Sequence, residues 1–107
     1  CYLMISCAVK IVGRPEVPKE KIVVLGSFEF KKWINGNCHL EHMTLRKANG
    51  NGVYAHSSFT MKDVIVEQCM GSGVVAMGFG VVGQCTNLEV RHCHGCGVFV
   101  NGGACIE

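Results

Sequence analysis

The feature that most constrains this chain is a repeat. Gly-Val dipeptides stand at Gly52-Val53, Gly73-Val74 and Gly97-Val98, at intervals of 21 and 24 residues. The segments before them align without gaps. Met43-Thr44-Leu45-Arg46-Lys47-Ala48 matches Val64-Ile65-Val66-Glu67-Gln68-Cys69, and both match Leu88-Glu89-Val90-Arg91-His92-Cys93. A turn follows in each copy (Asn49-Gly50-Asn51, Met70-Gly71-Ser72, His94-Gly95-Cys96), then a second apolar run (Val53-Tyr54-Ala55, Val74-Val75-Ala76, Val98-Phe99-Val100). Upstream, Leu40, Met61 and Cys85 fall in register. A period of this length marks a solenoid or array, in which no unit buries its apolar side alone and neighbours must stack.

The units read as β-coils. Their runs are short, Val-rich and alternating, and Gly or Asn separates them, which is a strand pattern with turn punctuation. Helical repeats of this class need about 33 residues or more and would not hold this much glycine. The Leu-x-x-Leu-x-Leu scaffold of a leucine-rich repeat is missing. A coil of this size has room for two or three strands. The longer interval arises between Ala76 and Cys85, where Met77-Gly78-Phe79-Gly80 and its neighbours replace His56-Ser57-Ser58, as expected of a loop at one joint of an array. Before the repeat, Lys10-Ile11-Val12-Gly13 and Lys21 to Gly26 are two β-rich runs joined by a Pro-containing turn. The expected organisation is a single domain or fragment of about 3–4 coils: an irregular opening stretch over 1–37 and three regular coils over 38–107. The chain starts at Cys1 and stops inside the strand-like Cys105-Ile106-Glu107, which reads as a piece of a longer array.

The run NGNGVYAHSSFTMKDVIVEQCMGSGVVAMG and the later LEVRHCHGCGVFVNGG resemble the right-handed parallel β-helix repeats of the pectin-lyase-like superfamily. The resemblance covers residues 38–107 well and 10–37 loosely. It implies an all-β fold, a right-handed parallel β-helix. For function it implies little, because this architecture serves lyases, hydrolases, epimerases, adhesins and non-catalytic recognition domains.

In a stacked register, aligned residues sit about 4.8 Å apart. The inward columns are then Met43/Val64/Leu88, Leu45/Val66/Val90, Val53/Val74/Val98, Ala55/Ala76/Val100, Leu40/Met61/Cys85 and Ala48/Cys69/Cys93. The eight cysteines thus read first as small core hydrophobes and second as a disulfide framework. Reduced thiols suit a cytoplasmic setting. Two outward columns carry the binding candidates. Arg46, Glu67 and Arg91 stack as an ion-pair ladder, read first as a solvated structural feature and second as part of an anion-binding face. Tyr54, Val75 and Phe99 form an apolar stripe that needs either a partner or a cover, and the insertion around Phe79 is the candidate cover.

Catalysis has little to work with. Glycosidases need paired carboxylates, but Asp63 is the single Asp and the seven Glu are dispersed. The resemblance brings no catalytic motif onto these residues. His39, His42 and His56 are expected on different coils or faces, so no Ser-His-Asp arrangement follows. His92, Cys93, His94 and Cys96 include a C-x-x-C pair but lack the second ligand pair of a zinc site, and no cofactor is expected. Gly71-Ser72-Gly73 is a turn, not a phosphate loop. A formal net charge of +2 with scattered Lys and Arg does not make a nucleic-acid face. The apolar start of the chain is too short to span a bilayer. The leading expectation is a non-catalytic recognition or scaffold module that binds a protein or a carbohydrate on its outer faces. Such β-helices occur in ubiquitin-ligase substrate receptors and signalling adaptors. The alternatives are a fragment of a polysaccharide lyase, hydrolase or epimerase, and a zinc-stabilised module. Open coil ends also predict self-association.

Overall fold

Short apolar runs separated by glycine form short strands, and their common length brings each back over the one before. A computed structural model describes residues 2–32, 34 and 36–106. Its strands are β1 (Tyr2–Ile5), β2 (Lys10–Val12), β3 (Val23–Leu25), β4 (Ser27–Phe30), β5 (Cys38–Arg46), β6 (Val53–Ala55), β7 (Phe59–Glu67), β8 (Val74–Met77), β9 (Val82–Arg91), β10 (Val98–Asn101) and β11 (Cys105–Ile106). The helical structure among the described residues is one 3-10 turn, Lys19–Lys21. All strand pairs are parallel. One sheet runs β1-β4-β6-β8-β10; the other runs β11-β9-β7-β5-β2, with β3 also paired to β5. The chain is a parallel β-solenoid of about four turns.

The three long strands are not straight. Leu40 and Met43 both point inward although three residues apart, and so do Met61 and Val64. The extra residue is absorbed by a left-handed backbone bend at His42 (φ 59°), stacked on Asp63 (57°) and Asn87 (53°). A second stack of such bends, Lys47 (59°), Gln68 (57°) and His92 (56°), closes the arm that follows. This conformation costs an L-residue about 1–2 kcal/mol and is tolerated best by Asn and Asp. The bends divide every turn into three faces. The first holds β2, residues 38–41, 59–62 and 83–86, and β11. The second holds β3 and residues 44–46, 65–67 and 89–91. The third holds β1, β4, β6, β8 and β10.

The expected columns are in register: Met43 with Val64 and Leu88, Leu45 with Val66 and Val90, Leu40 with Met61 and Cys85. On the third face Val53, Val74 and Val98 align, as do Ala55, Ala76 and Val100. The inward residues of turns two and three are buried, together with Ala48 and Cys69. Phe30 and Phe59 pack at 5.9 Å between ring centroids. Gly83 makes room for Phe59, because a Cβ there would lie 2.4 Å from its Cζ. Val98 and Val100 face the same interior but stay exposed, since among the described residues no strand pairs with the far side of β10.

Residues 10–30 form a turn in the same register, with Ile11 beside Leu40, Val24 beside Leu45 and Phe28 beside Val53. Its irregular part is the joint between first and second faces, where 13–22 stand in place of 42–43. The joint between third and first faces also varies in length. Seven residues (31–37) separate Phe30 from Cys38, three (56–58) separate Ala55 from Phe59, and six (77–82) separate Ala76 from Gly83.

Candidate functional site

The first joint carries the densest polar cluster. The stacked bends place His42, Asp63 and Asn87 in one column on the outer surface, and loop 13–22 folds back over it. Lys19 Nζ pairs with Asp63 Oδ1, Asn87 Nδ2 donates to the same oxygen at 2.8 Å, and His42 Nδ1 meets Asp63 Oδ2 at 2.6 Å. The other ring nitrogen of His42 lies 2.7 Å from the Val17 carbonyl oxygen. Both nitrogens therefore face acceptors, an environment made for the doubly protonated ring. Asp63, then the Val17 carbonyl, hold the His42 pKa above its ordinary value. Lys19, then His42, hold the Asp63 carboxyl below its own. Thr44 Oγ1 donates to the Lys19 carbonyl. Beneath the loop, Thr44 and Ile65 are buried although both point outward. His39 and His42 share β5, but the bend at His42 separates them: His39 lies on the first face and His42 at the joint. His39 turns instead to Glu41 at 2.8 Å, a contact that lowers the Glu41 pKa.

On the second face the expected ladder forms, with Arg46 and Arg91 partly exposed and Glu67 buried between them. Glu67 is only 7% exposed. Arg46 Nε donates to its Oε2 at 2.6 Å and Arg91 Nε to its Oε1 at 2.9 Å. Burial alone would raise the Glu67 pKa, yet the two guanidiniums outweigh it and leave it lowered. Arg91 also reaches Glu89. The acid at the centre of the ladder is saturated by its own neighbours, a geometry that fixes register between turns.

The third face holds the aromatic column. Tyr54 aligns with Val75, and Val75 with Phe99. The stripe is broken: Val75 is 4% exposed, Tyr54 is half-buried and Phe99 is 41% exposed. Phe79 does not cover it, contrary to expectation, because its side chain stands 95% exposed. The loop that carries Phe79 projects at the neighbouring joint, beside Gly103 rather than over the strand face. Tyr54 stacks on His56 (centroids 4.6 Å apart, 26° between planes) and its hydroxyl donates to Met77 Sδ at 3.1 Å.

Where the short corner 56–58 lies between the two longer loops, a cleft of about 480 Å³ opens. Lys32 and Ile34 line one wall. Met77, Phe79 and Val81 line the other, and His56, Ser57 and Ser58 form the floor. Ser57 Oγ donates to the Lys31 carbonyl and accepts from Ile34 N–H, which ties the floor to the first wall. Ser58 Oγ accepts from Val82 N–H at 3.0 Å and ties it to the second. A second depression of about 380 Å³, bounded by Glu29, Lys31, Lys32 and His56, adjoins the first through the shared Lys32 and His56. Sequence reasoning missed this cleft. Its signal was present in the unequal lengths of successive corners.

The cysteines divide by depth. Cys38 and Cys69 are buried, Cys85 and Cys93 partly so, and Cys7, Cys96 and Cys105 exposed; all seven are free thiols, and Cys1 lies outside the described residues. Burial raises the pKa values of Cys38 and Cys85. Burial, reinforced by Cys93 in the next turn, pushes Cys69 up to about 11. A thiol held neutral in this way packs and does not attack. In the C-x-x-C segment Cys93 points toward the interior, whereas His92, His94 and Cys96 are exposed. Among the described residues no three His, Cys, Asp or Glu side chains gather as a metal site would need. Gly71-Ser72-Gly73 is a turn stitched to its neighbours: Asn51 Oδ1 accepts from Ser72 N–H, and Ser72 Oγ accepts from Cys96 N–H. No helix of the described residues is long and apolar enough to cross a membrane. Comparisons with protein-family models, curated proteins and solved structures found no match.

Proposed function

We propose that this chain is a non-catalytic recognition or scaffold module, a right-handed β-helix of the pectin-lyase-like kind whose outer surface binds a protein or a glycan. One observation carries the reading. Asp63 and Glu67 are each saturated by cations of neighbouring turns, while the cleft between third and first faces presents Lys32 and apolar side chains that form no ion pair among the described residues. Hydrolysis of a glycosidic bond needs a carboxylic acid and a second carboxylate facing each other across the substrate. Here the carboxylates face guanidinium, ammonium and imidazole instead. A rigid array with an open, mostly apolar cleft suits ligand binding. The thiol-rich interior, in which Cys38 and Cys69 pack as hydrophobes, fits a reducing compartment.

The test is incubation of the purified chain with a panel of neutral and acidic polysaccharides. Reducing ends and unsaturated uronate products are followed, and retention is read on gels containing the same polymers. The reading expects no products. Product formation that disappears in Asp63→Asn or Glu67→Gln would overturn it in favour of a polysaccharide-cleaving enzyme. Retention without products supports the glycan arm.

A further inference from the structure

The geometry points to a specific occupant for the cleft at the third joint: we infer that it docks an extended acidic peptide segment of a partner protein, carboxylates toward Lys31 and Lys32 and an apolar side chain in the cleft. The inference rests on the recognition reading above and narrows its partner from protein or glycan to protein.

Shape comes first. The cleft and the adjoining depression share Lys32 and His56 and lie side by side. The cleft, about 480 Å³, lies within the roughly 300–1,000 Å³ range of ligand clefts. Two adjoining depressions accept a linear ligand more readily than a compact one.

Chemistry then separates the classes of linear ligand. Among the described residues the walls carry Ile34 on one side and Met77 and Val81 on the other, and Phe79 stands at the lip almost wholly exposed. Burying sugar hydroxyls against such walls would strip them of hydrogen bonds at a cost of about 1–3 kcal/mol each. Tyr54, whose ring stacks on His56 of the floor, has its hydroxyl on Met77 and offers a sugar no free face on that side. A leucine- or phenylalanine-sized side chain, by contrast, gains from these walls by simple burial. Charge favours an acid beside it. Among the described residues neither Lys31 nor Lys32 forms an ion pair, and the acid in their depression is Glu29 alone. Ser58 Oγ accepts from Val82 N–H, so its own proton remains to be donated to a peptide carbonyl or carboxylate. Two lysines beside one glutamate are too few for a nucleic-acid backbone. They suffice to orient a short acidic strand.

The probe is a fluorescein-labelled decapeptide in which Asp alternates with Leu, titrated by anisotropy against the whole chain. Two control peptides carry Lys for Asp or Ser for Leu, and oligogalacturonate serves as a competitor. The expected result is saturable binding by the Asp-Leu peptide, with both controls weaker by about tenfold or more. Lys32→Glu weakens it about tenfold and Phe79→Ala about fivefold, while Glu29→Gln tightens it. Lys32 and Phe79 are exposed and Glu29 is half-buried, and an unchanged circular dichroism melt shows that the fold is intact. Equal binding of the controls, indifference to Lys32→Glu, or no binding of the Asp-Leu peptide overturns the inference. Oligogalacturonate binding that Lys32→Glu abolishes, without peptide binding, defeats the peptide and leaves the recognition reading standing.

Discussion

Two joints of this solenoid carry long loops, and they use them in opposite ways. At the joint between first and second faces, loop 13–22 lies back on the array. Lys19, Asp63, His42 and Asn87 lock it there, and Ile65 is covered. At the joint between third and first faces, Lys32, Ile34 and Gly36 on one side and loop 77–82 on the other flank a three-residue corner and leave a cleft. The difference lies in what the underlying column offers. A stack of His, Asp and Asn at left-handed bends gives a folded-back loop charged and polar partners. The corner His56-Ser57-Ser58 gives its flanking loops two hydroxyl contacts and no opposing charge. Charge closes the first joint; its absence leaves the second open for something else to bind.

The comparison breaks most directly at glycines. A Cβ on Gly13 would lie 2.0 Å from the His42 carbonyl oxygen, a backbone atom with no room to yield. Gly13→Ala is expected to destabilise the chain by about 3 kcal/mol, read from urea denaturation. Gly80, at the open joint, has nothing within 4 Å of a built Cβ, only a φ of +82°. Gly80→Ala should then cost about 1 kcal/mol, the conformational penalty alone. Equal costs would show that the first joint is no tighter than the other.

Asp63→Asn removes the charge that holds Lys19 and His42 while keeping a side chain of the same shape. Amide exchange through 13–22 should quicken about tenfold, with no change at 77–82. Exchange that rises at both loops would mean that Asp63 supports the whole array rather than one joint.

Acidity should act on the same joint. The folded His42 pKa lies above its ordinary 6.5, so its contribution is complete below that value and fades as pH rises through the raised folded one. The Asp63 pKa lies below its ordinary 3.8, so its contribution is present above that value and is lost as pH falls through the lowered one. The joint is therefore tightest between about pH 4 and 6.5, and loosens toward alkaline pH as the contact with the Val17 carbonyl loses its proton. Proteolysis within 13–22, followed across that range, checks the direction. An alkaline-resistant loop would assign the closure to Lys19 alone. The smallest effect is expected at Phe79: its removal by Phe79→Ala should shift stability by no more than about 0.5 kcal/mol. A larger loss would give that exposed ring a structural duty in the wall of the cleft.

Much of the fold was legible in the chain because a solenoid's register is its sequence period. Val53, Val74 and Val98 stack because the same pattern of runs recurs in each turn and the three extra residues of the longer interval are confined to one joint, and the Arg46-Glu67-Arg91 ladder follows from the same pattern. The left-handed bends were legible in principle, since inward residues three apart, such as Leu40 and Met43, cannot lie on one straight strand. The burial of Val75 was hidden because alternation tells direction, and an outward residue between Tyr54 and Phe99 is sheltered by their bulk. The cluster at Asp63 was hidden too: Lys19 lies 44 residues away in sequence, on an insertion outside the period. The cleft belongs to neither loop; it exists only where unequal corners meet.

By itself, then, the sequence determined the parallel coil, the columns of its interior and the scarcity of carboxylates. Those are properties of period and composition, and stacking can only repeat them. The tertiary structure decided which charges meet, which outward side chains are covered and where the surface stays open. These depend on how insertions of different length fold across the turns, and no single turn holds that information.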